Sequence, residues 1–170
     1  GQQITGINDE LRYEAAKLLI AVNPDTLSHF CKQQIATGLI DLKSDAKKNK
    51  KYNPELYVER NSLNIAFLDW LRGELPVFAV IAPSGYGKTN FMCAKAEEAI
   101  SSQFVLFYSA GRFTDGLINS IRNDFIWEFH RDKEVVQIFD RLDTIAKDNG
   151  KKMLIFVDAI DENPSGIRSI

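Results

Sequence analysis

The 170-residue sequence has few of the residues that build disulfide frameworks and metal clusters. It contains two cysteines, Cys31 and Cys93, and two histidines, His29 and His130. Both cysteines fall in helical patterns, so we interpret them as buried free thiols of a reducing compartment, the cytoplasm. The two histidines are isolated in the sequence, which gives no indication of a metal cluster. This composition argues against a disulfide-stabilised secreted domain.

Long hydrophobic runs and a charge bias are also missing. No apolar run approaches the roughly 18 residues of a membrane span, and the opening residues, GQQITGINDE, lack the basic and apolar regions of a signal peptide. The formal net charge of −2 gives no reason to expect nucleic acid or an anionic membrane as a partner. Because 45% of the residues are hydrophobic, we expect a globular domain with a sizeable core. The short apolar runs and the balanced charge lead us to expect a cytoplasmic protein with no membrane partner and no clear nucleic-acid site.

The most informative stretch covers residues 77–90 and reads VFAVIAPSGYGKTN. Residues 77–82 are apolar and rich in strand formers, and the run is too short for an independent helix, so it predicts a buried strand. A turn with two glycines follows at residues 83–87, and Lys88 opens a helical pattern. A strand, a glycine-rich turn and a helix start are the local structure that a phosphate-binding loop requires.

The residues of this stretch have the chemistry that binding of a nucleoside triphosphate needs. Backbone N–H groups in such a turn form an anion-binding nest, and the N-terminus of the following helix adds unpaired N–H groups. Gly85 and Gly87 are able to adopt positive φ and let phosphate oxygens approach the backbone. Lys88 is expected to reach the β and γ phosphates, and Thr89 to coordinate Mg²⁺. The candidate nucleotide-binding residues are Pro83, Ser84, Gly85, Tyr86, Gly87, Lys88, Thr89 and Asn90.

One position departs from the pattern G-x-x-x-x-G-K-[ST], because Ala82 stands where the first glycine is expected. If that position needed positive φ, the Cβ of alanine would cost roughly 1–2 kcal/mol. We favour the simpler interpretation that Ala82 ends the strand, since the two glycines nearest the phosphates are kept. The alternative for the whole stretch is a chance match in an ordinary loop between a strand and a helix.

A second stretch with candidate chemistry lies near the end of the sequence. Residues 153–157, MLIFV, predict another buried strand, and Asp158 stands at its carboxyl end. Ligands gather at the carboxyl ends of parallel strands, so Asp158 is expected beside the phosphate loop, where it would hold Mg²⁺. Asp161 or Glu162, just beyond it, would orient or activate the attacking water. The alternative is an ordinary acidic turn after a strand.

The remaining pattern predicts helices that alternate with strands. A strand at residues 104–108, together with 77–82 and 153–158, predicts a parallel sheet of about three strands. Helices are predicted at 8–22, from Pro24 to the lysine run at residues 47–51, and at 61–71, 88–100, 115–130 and 133–148. The lysine run at the end of the second helix is interpreted as a solvated helix end, with contact to nucleic acid as the alternative. This run consists of Lys47, Lys48, Lys50 and Lys51.

A break at Tyr52-Asn53-Pro54 divides the chain into two parts. Residues 1–51 are predicted to form a helical segment beside the core, at the junction with an upstream effector. Residues 52–170 are predicted to form the N-terminal part of a P-loop nucleotide-binding domain. The fold class is therefore predicted as α/β, with a truncated parallel sheet preceded by N-terminal helices.

Both motif-bearing stretches resemble those of one protein family. The segments APSGYGKTN and LIFVDAIDEN are similar to the Walker A and Walker B motifs of the STAND class of signalling NTPases, the NACHT-like group of the additional-strand P-loop ATPases. The segment YNPELYVER, residues 52–60, resembles the short motif that precedes the P-loop domain in these proteins. By that resemblance Leu56, Tyr57 and Val58 would lie near the adenine base, and Arg60 would be the motif arginine.

The resemblance implies an ATP- and ADP-binding, Mg²⁺-dependent ATPase that acts as a regulatory switch, as in bacterial defence proteins. In this class the nucleotide controls self-association, with an effector domain upstream and a sensor domain downstream. The family core has more parallel strands than this chain predicts. We therefore expect a fragment of a larger protein, and we expect the fragment alone to hydrolyse ATP poorly or not at all.

The resemblance also makes Asp161 the second acidic residue of the Walker B motif, with Glu162 as the alternative catalytic acid. Two other functions remain open. One is a nucleotide-binding scaffold with little hydrolysis, and the other is a P-loop kinase that phosphorylates a small molecule. The Asp161-Glu162 pair favours a hydrolase over a kinase.

Overall fold

The computed structural model describes residues 11, 23–45, 48–113, 116–125 and 135–160. Its helices and strands are α1 (Pro24–Leu39), α2 (Asn61–Arg72), α3 (Lys88–Ala99), β1 (Phe104–Ser109), α4 (Gly116–Asp124), α5 (Val135–Asp148) and β2 (Met153–Asp158). Short 3₁₀ turns lie at Pro54–Leu56 and Ala110–Arg112. None of the helices described combines the length and the apolar composition that a membrane crossing requires. The predicted helix at 8–22 lies, apart from Leu11, outside the described residues.

Strands β1 and β2 pair in parallel and form a small two-stranded sheet. Phe104 stands opposite Met153 at one end of the ladder, and Ser109 stands opposite Asp158 at the other. Both strands agree with the predicted ones, and the mixture of helices with a parallel sheet is compatible with an α/β fold. Because parallel strands end at the same edge, Asp158 lies at the carboxyl edge of the sheet.

Strand β1 is buried on both faces because helices pack against each of them. Phe104, Leu106 and Tyr108 belong to one core cluster, which also contains apolar residues of α4 and α5. Val105 and Phe107 alternate with them and belong to a second cluster, built with α2, α3 and β2. This burial on both faces explains why β1 reads as a continuous apolar run rather than as an alternating one.

Helix α1 begins where the sequence predicts. The Oδ1 atom of Asn23 accepts a hydrogen bond of 2.8 Å from the Asp25 backbone N–H, and Pro24 occupies the first helical position. The helix then contributes Leu27 and Phe30, both fully buried, to the first cluster. The start of α1 is therefore encoded locally, by a cap and a proline.

The end of α1 differs from the prediction. The helix ends at Leu39, because the chain beyond it turns to pair with Tyr52 in a parallel bridge. The Tyr52 N–H donates to the Leu42 carbonyl at 2.7 Å, so that carbonyl is not used in a helix. The predicted continuation of the helix beyond Leu39, through Leu42 to the lysine run, is wrong. Lys50 and Lys51 consequently lie in a loop rather than at a helix end, and Lys47 falls outside the described residues.

Gln34 of α1 satisfies the backbone at the open edge of β1. Its Nε2 donates to the Phe107 carbonyl at 2.9 Å, and its Oε1 accepts from the Phe107 N–H at 2.8 Å. The side-chain amide therefore occupies the place of a neighbouring strand at this residue. Gln34 is buried, and burial of an amide is tolerated when its polar atoms are bonded in this way.

We expect the substitution Gln34→Met to destabilise the protein by about 1–3 kcal/mol, since it leaves two buried backbone groups without their partner. Equilibrium unfolding in urea measures the change. Gln33→Met is the matched control, because Gln33 is the next residue of the same helix and is only half-buried. Equal stability of the Gln34→Met and Gln33→Met proteins would contradict this role for Gln34.

The strand predicted at residues 77–82 is not formed, and this prediction is wrong. Phe78 and Val80 pack against the second cluster, whereas Val77 and Ile81 are 73% and 92% exposed. This alternation has the period of an extended chain. A strand also needs a hydrogen-bonded neighbour, and none lies beside this segment among the described residues. The described sheet therefore has two strands instead of three.

Both cysteines are buried free thiols, as predicted. Burial raises the pKa of Cys31 to about 12. Burial also raises the pKa of Cys93, and the negative charge of Asp158 adds to this effect. Both thiols are therefore protonated at neutral pH, which makes them poor nucleophiles.

Candidate functional site

The glycine-rich turn has the backbone conformation that its sequence predicts. Gly85 and Gly87 have φ values of 82° and 76°, in the left-handed region that glycine adopts without strain. Ala82 is not among the residues with positive φ, so alanine causes no strain where the motif pattern has its first glycine. Pro83, Ser84, Gly85 and Tyr86 are exposed, whereas Gly87, Lys88, Thr89 and Asn90 are half-buried.

Helix α3 starts directly at the end of this turn, with Gly87 at its N-cap position. The first intrahelical hydrogen bond of 3.0 Å runs from the Phe91 N–H to the Gly87 carbonyl. No described side chain caps this N-terminus. The N–H groups of the first helical turn therefore remain available to an anion, and the helix dipole adds positive potential there.

Lys88 lies folded over the turn that precedes it. Its Nζ donates to the Ala82 carbonyl at 2.7 Å and to the Pro83 carbonyl at 3.3 Å. Both acceptors are backbone oxygens at the start of the loop, so the ammonium group is held at the loop itself. A cation in this position is suited to bind an anion that enters the turn.

Thr89 and Asp158, the two residues predicted to bind a metal, are in contact. The Thr89 hydroxyl donates to Oδ1 of Asp158 at 3.2 Å, although the residues are far apart in the sequence. Asp158 is only 4% exposed and ends strand β2. The contact forms through the first turn of α3, since the segment before the glycine turn is not paired with β2. A hydroxyl and a carboxylate are thereby brought together beside the glycine turn.

The chain turns sharply immediately after Asp158. Ala159 has a φ of 59°, a conformation that costs a non-glycine residue free energy. The alternation of a strand therefore does not continue beyond Asp158 and does not decide between the two candidate acids. Asp161 and Glu162 lie outside the described residues.

A cavity of about 480 Å³ lies beside the N-terminus of α3. Its size is within the range of about 300–1,000 Å³ that small-molecule sites have. Residues 56–58 and Arg60 form one wall, and Gly87 and Asn90 at the start of α3 form another, so the residues predicted to lie near the base share this cavity with two of the residues predicted to bind phosphate. Lys88, Thr89 and Asp158 do not line it. Its lining includes Leu56, Tyr57, Val58, Arg60, Gly87 and Asn90.

The loop at residues 48–51 (the lysine loop) also forms part of this cavity, a position that the sequence pattern did not predict. Lys50 and Lys51 line it together with Asn49 and Asn53. Lys50 is not a solvated helix-end residue, because its Nζ donates to the Ile40 carbonyl at 2.7 Å. The lysine run lies only a few residues before residue 56, and this short separation could have predicted that both line one cavity.

Three side-chain hydrogen bonds connect the segments around the cavity. The Asn90 Nδ2 donates to the Lys51 carbonyl at 3.0 Å, which links α3 to the lysine loop. The Arg60 Nη2 donates to the Tyr86 carbonyl at 2.6 Å, which links the N-cap residue of α2 to the glycine turn. Glu59 accepts a hydrogen bond of 2.6 Å from Lys95 of α3. The N-cap residue of α2 is Arg60, and no described side chain caps this N-terminus.

Lys95 is a buried cation on α3, with 1% of the residue exposed. Its Nζ lies 2.6 Å from a carboxylate oxygen of Glu59 and 2.6 Å from one of Glu98. Burial lowers the pKa of Lys95, but the hydrogen bonds from the two carboxylates outweigh it, and the pKa lies above its ordinary value. Lys95 is therefore charged at neutral pH and binds both carboxylates.

The residues at the loop fit a magnesium ion that arrives with a nucleotide. The described residues contain no group of three or more histidine, cysteine or acidic side chains that would hold a metal alone. Thr89 and Asp158 supply two hard oxygen ligands, and Mg²⁺ is commonly bound by one or two protein ligands together with substrate phosphates and water. The pair therefore suits a metal–nucleotide complex.

A larger cavity, of about 530 Å³, lies between α1 and the loop that follows it. Its apolar lining includes Ile35, Leu39 and Ile100, and lysines surround it. None of the predicted nucleotide or metal residues lines this cavity. The candidate site is therefore the smaller cavity with its glycine turn.

Comparisons with models of protein families, with curated proteins and with solved structures give no match for this chain.

Proposed function

We propose that this chain binds ATP together with Mg²⁺ at the glycine turn, as part of a P-loop NTPase. The observation that carries the proposal is the contact between Thr89 and Asp158 beside a turn whose glycines have positive φ. These residues come from two separate motifs, and a chance match in one loop gives no reason for a distant carboxylate to reach its threonine.

In this proposal each part of the turn has a role in holding the triphosphate. Backbone N–H groups at residues 85–90 surround the phosphate oxygens, and the N-terminus of α3 contributes its dipole. The Lys88 ammonium exchanges its bonds to the Ala82 and Pro83 carbonyls for bonds to the β and γ phosphates. Tyr57 and Val58 provide the apolar side of the cavity for the base.

Thr89 and Asp158 would hold the metal ion of the nucleotide complex. When bound, Mg²⁺ neutralises charge that develops on the phosphates. Asp161, or Glu162 as the alternative, would orient the attacking water, as the resemblance to the Walker B motif implies. Phosphate release from ATP tests hydrolysis, and binding without release would leave a nucleotide-binding scaffold as the function.

The wider role that we propose is the regulatory switch of a STAND-like signalling protein. It is supported by the two Walker-like segments and by the YNPELYVER segment, whose residues line the cavity beside the glycine turn. Self-association that depends on ATP rather than ADP is the property that distinguishes a switch from a small-molecule kinase. Sedimentation of the protein with each nucleotide measures it.

Substituting Asp158 by asparagine tests the metal part of the proposal. We expect the affinity for ATP in the presence of Mg²⁺ to fall about tenfold or more, a loss of at least about 1.4 kcal/mol. The affinity in the presence of EDTA should change little, because the carboxylate acts through the metal. Calorimetric titration with and without Mg²⁺ measures both values.

Asp140→Asn is the control, since Asp140 is an exposed aspartate of α5 that is not part of the candidate site. If the Asp158→Asn protein keeps the full effect of Mg²⁺ on ATP affinity, Asp158 is not a metal ligand and this part of the proposal fails.

A further inference from the structure

The guanidinium group of Arg60 contacts the backbone of the glycine turn. Its Nη2 donates to the Tyr86 carbonyl at 2.6 Å. A Cβ placed on Gly87 would lie 3.6 Å from the same nitrogen, so Arg60 covers the turn at both residues. Its contact with the turn is thus made to protein backbone.

This hydrogen bond determines the orientation of one peptide group. In a trans peptide the carbonyl and the following N–H point in opposite directions. Holding the Tyr86 carbonyl toward Arg60 therefore directs the Gly87 N–H away from Arg60. Glycine has no Cβ to restrict its φ and ψ, so without such a bond this peptide group has more freedom to rotate.

The neighbouring residue attaches the same segment to α3. Glu59 accepts a hydrogen bond from the buried Lys95, two helical turns beyond the glycine turn. Two consecutive residues thus contact two points of the phosphate-loop unit. Tyr57 and Val58, which directly precede them, line the cavity. The wall of the cavity and the glycine turn are therefore mechanically connected through residues 57–60.

We propose that Arg60 is a positioning residue, which orients the Gly87 amide for phosphate and couples occupation of the cavity by a base to the shape of the turn. The inference rests on the proposed function. It differs from a direct contact between Arg60 and the base, because it requires Arg60 to matter for a ligand that has no base.

Binding of ATP and of inorganic tripolyphosphate by this chain separates the two roles. We expect Arg60→Ala to weaken both ligands by about tenfold, which corresponds to about 1.4 kcal/mol. In the nucleotide-free protein we expect faster hydrogen exchange at the amides of residues 85–88. Arg60→Lys keeps the charge but lacks the planar fork, so it should produce the same changes to a smaller extent, about threefold in affinity.

Arg72→Ala is the matched control, because Arg72 is an exposed arginine at the other end of α2. A loss of ATP affinity with unchanged tripolyphosphate affinity would overturn the inference and indicate a base contact. Unchanged exchange at residues 85–88 would also overturn it, since a loss of affinity would then reflect charge attraction alone. Faster exchange without a loss of tripolyphosphate affinity would overturn it as well.

Failure of the proposed function gives a different result. The glycine turn is not a phosphate site if the unsubstituted chain binds neither ligand, or if Lys88→Ala leaves the affinity for both ligands unchanged. In either case both proposals fail. If Lys88→Ala removes binding and Arg60→Ala does not alter tripolyphosphate binding, the nucleotide site stands and the role of Arg60 does not.

Discussion

Substituting Lys88 by alanine is expected to weaken ATP binding by about a hundredfold or more. The reason is that the Lys88 ammonium group lies at the glycine turn, where its Nζ contacts the Ala82 and Pro83 carbonyls. Hydrogen bonds to charged groups contribute about 1.5–3 kcal/mol each, and loss of two such bonds to phosphate gives an effect of this size. Calorimetric titration with ATP and Mg²⁺ measures the change.

The control for this experiment is Lys147→Ala. Lys147 is an exposed lysine of α5, paired with Asp143, and it is not part of the candidate site. Thermal unfolding of both variants without nucleotide establishes that they are folded. Unchanged ATP affinity in a folded Lys88→Ala protein would show that the GKT sequence does not form a phosphate site here.

The second large effect is expected on stability, from the substitution Phe67→Ala. Phe67 is 4% exposed, and its ring contacts four other aromatic rings at centroid distances of 5.6–6.2 Å. Truncating a buried phenylalanine costs about 3–5 kcal/mol through lost burial and the cavity that remains. Domains have a total stability of about 5–15 kcal/mol, so this loss is a large fraction of it. The four rings belong to Trp70, Phe78, Phe91 and Phe156.

Ile65→Ala is the matched control for Phe67→Ala. Ile65 lies in the same helix and is 58% exposed, so its truncation should cost little. Urea unfolding of both variants gives the two free energies. A difference of less than about 1 kcal/mol between them would mean that the aromatic cluster is not a centre of the core.

Phe67 contributes to the stability of the protein and also contacts the segments that carry the candidate site. Phe91 belongs to the first turn of α3, Phe78 precedes the glycine turn, and Phe156 lies in β2 before Asp158. The ring of Phe67 contacts all three. Helix α2 is therefore packed against α3, β2 and the segment that precedes the glycine turn.

Local structure was predicted well where a few neighbouring residues determine it. The Asn23 cap and Pro24 predicted the start of α1, and Gly85 and Gly87 predicted a turn with positive φ. The apolar runs predicted both strands of the sheet to within one residue. The cap and the glycine turn depend on contacts within about one turn of chain, so the sequence pattern contains them. The two strands pair across a long sequence distance, but their apolar, strand-forming composition was sufficient to locate them.

Predictions that depended on a distant partner were less successful. Residues 77–82 have the composition of a strand, but no neighbouring strand is described beside them. Leu42 fits the apolar pattern of α1, but its carbonyl bonds to Tyr52 instead. The lysine run was interpreted as a helix end, and Lys50 and Lys51 instead line the cavity. An apolar or basic pattern indicates the kind of surface that a segment can pack against, but it does not identify the segment that supplies that surface.

The sequence by itself determined the residue types at the candidate site, namely two glycines, a lysine, a threonine and an aspartate at the end of an apolar run. Only the tertiary structure decided that Asp158 reaches Thr89, that Arg60 bonds to the Tyr86 carbonyl, and that segment 56–60 forms a wall of the same cavity. The physical reason is that these contacts join residues far apart in the sequence. Their formation depends on how α2, α3 and β2 pack around one aromatic core, and local propensity carries no information about that packing.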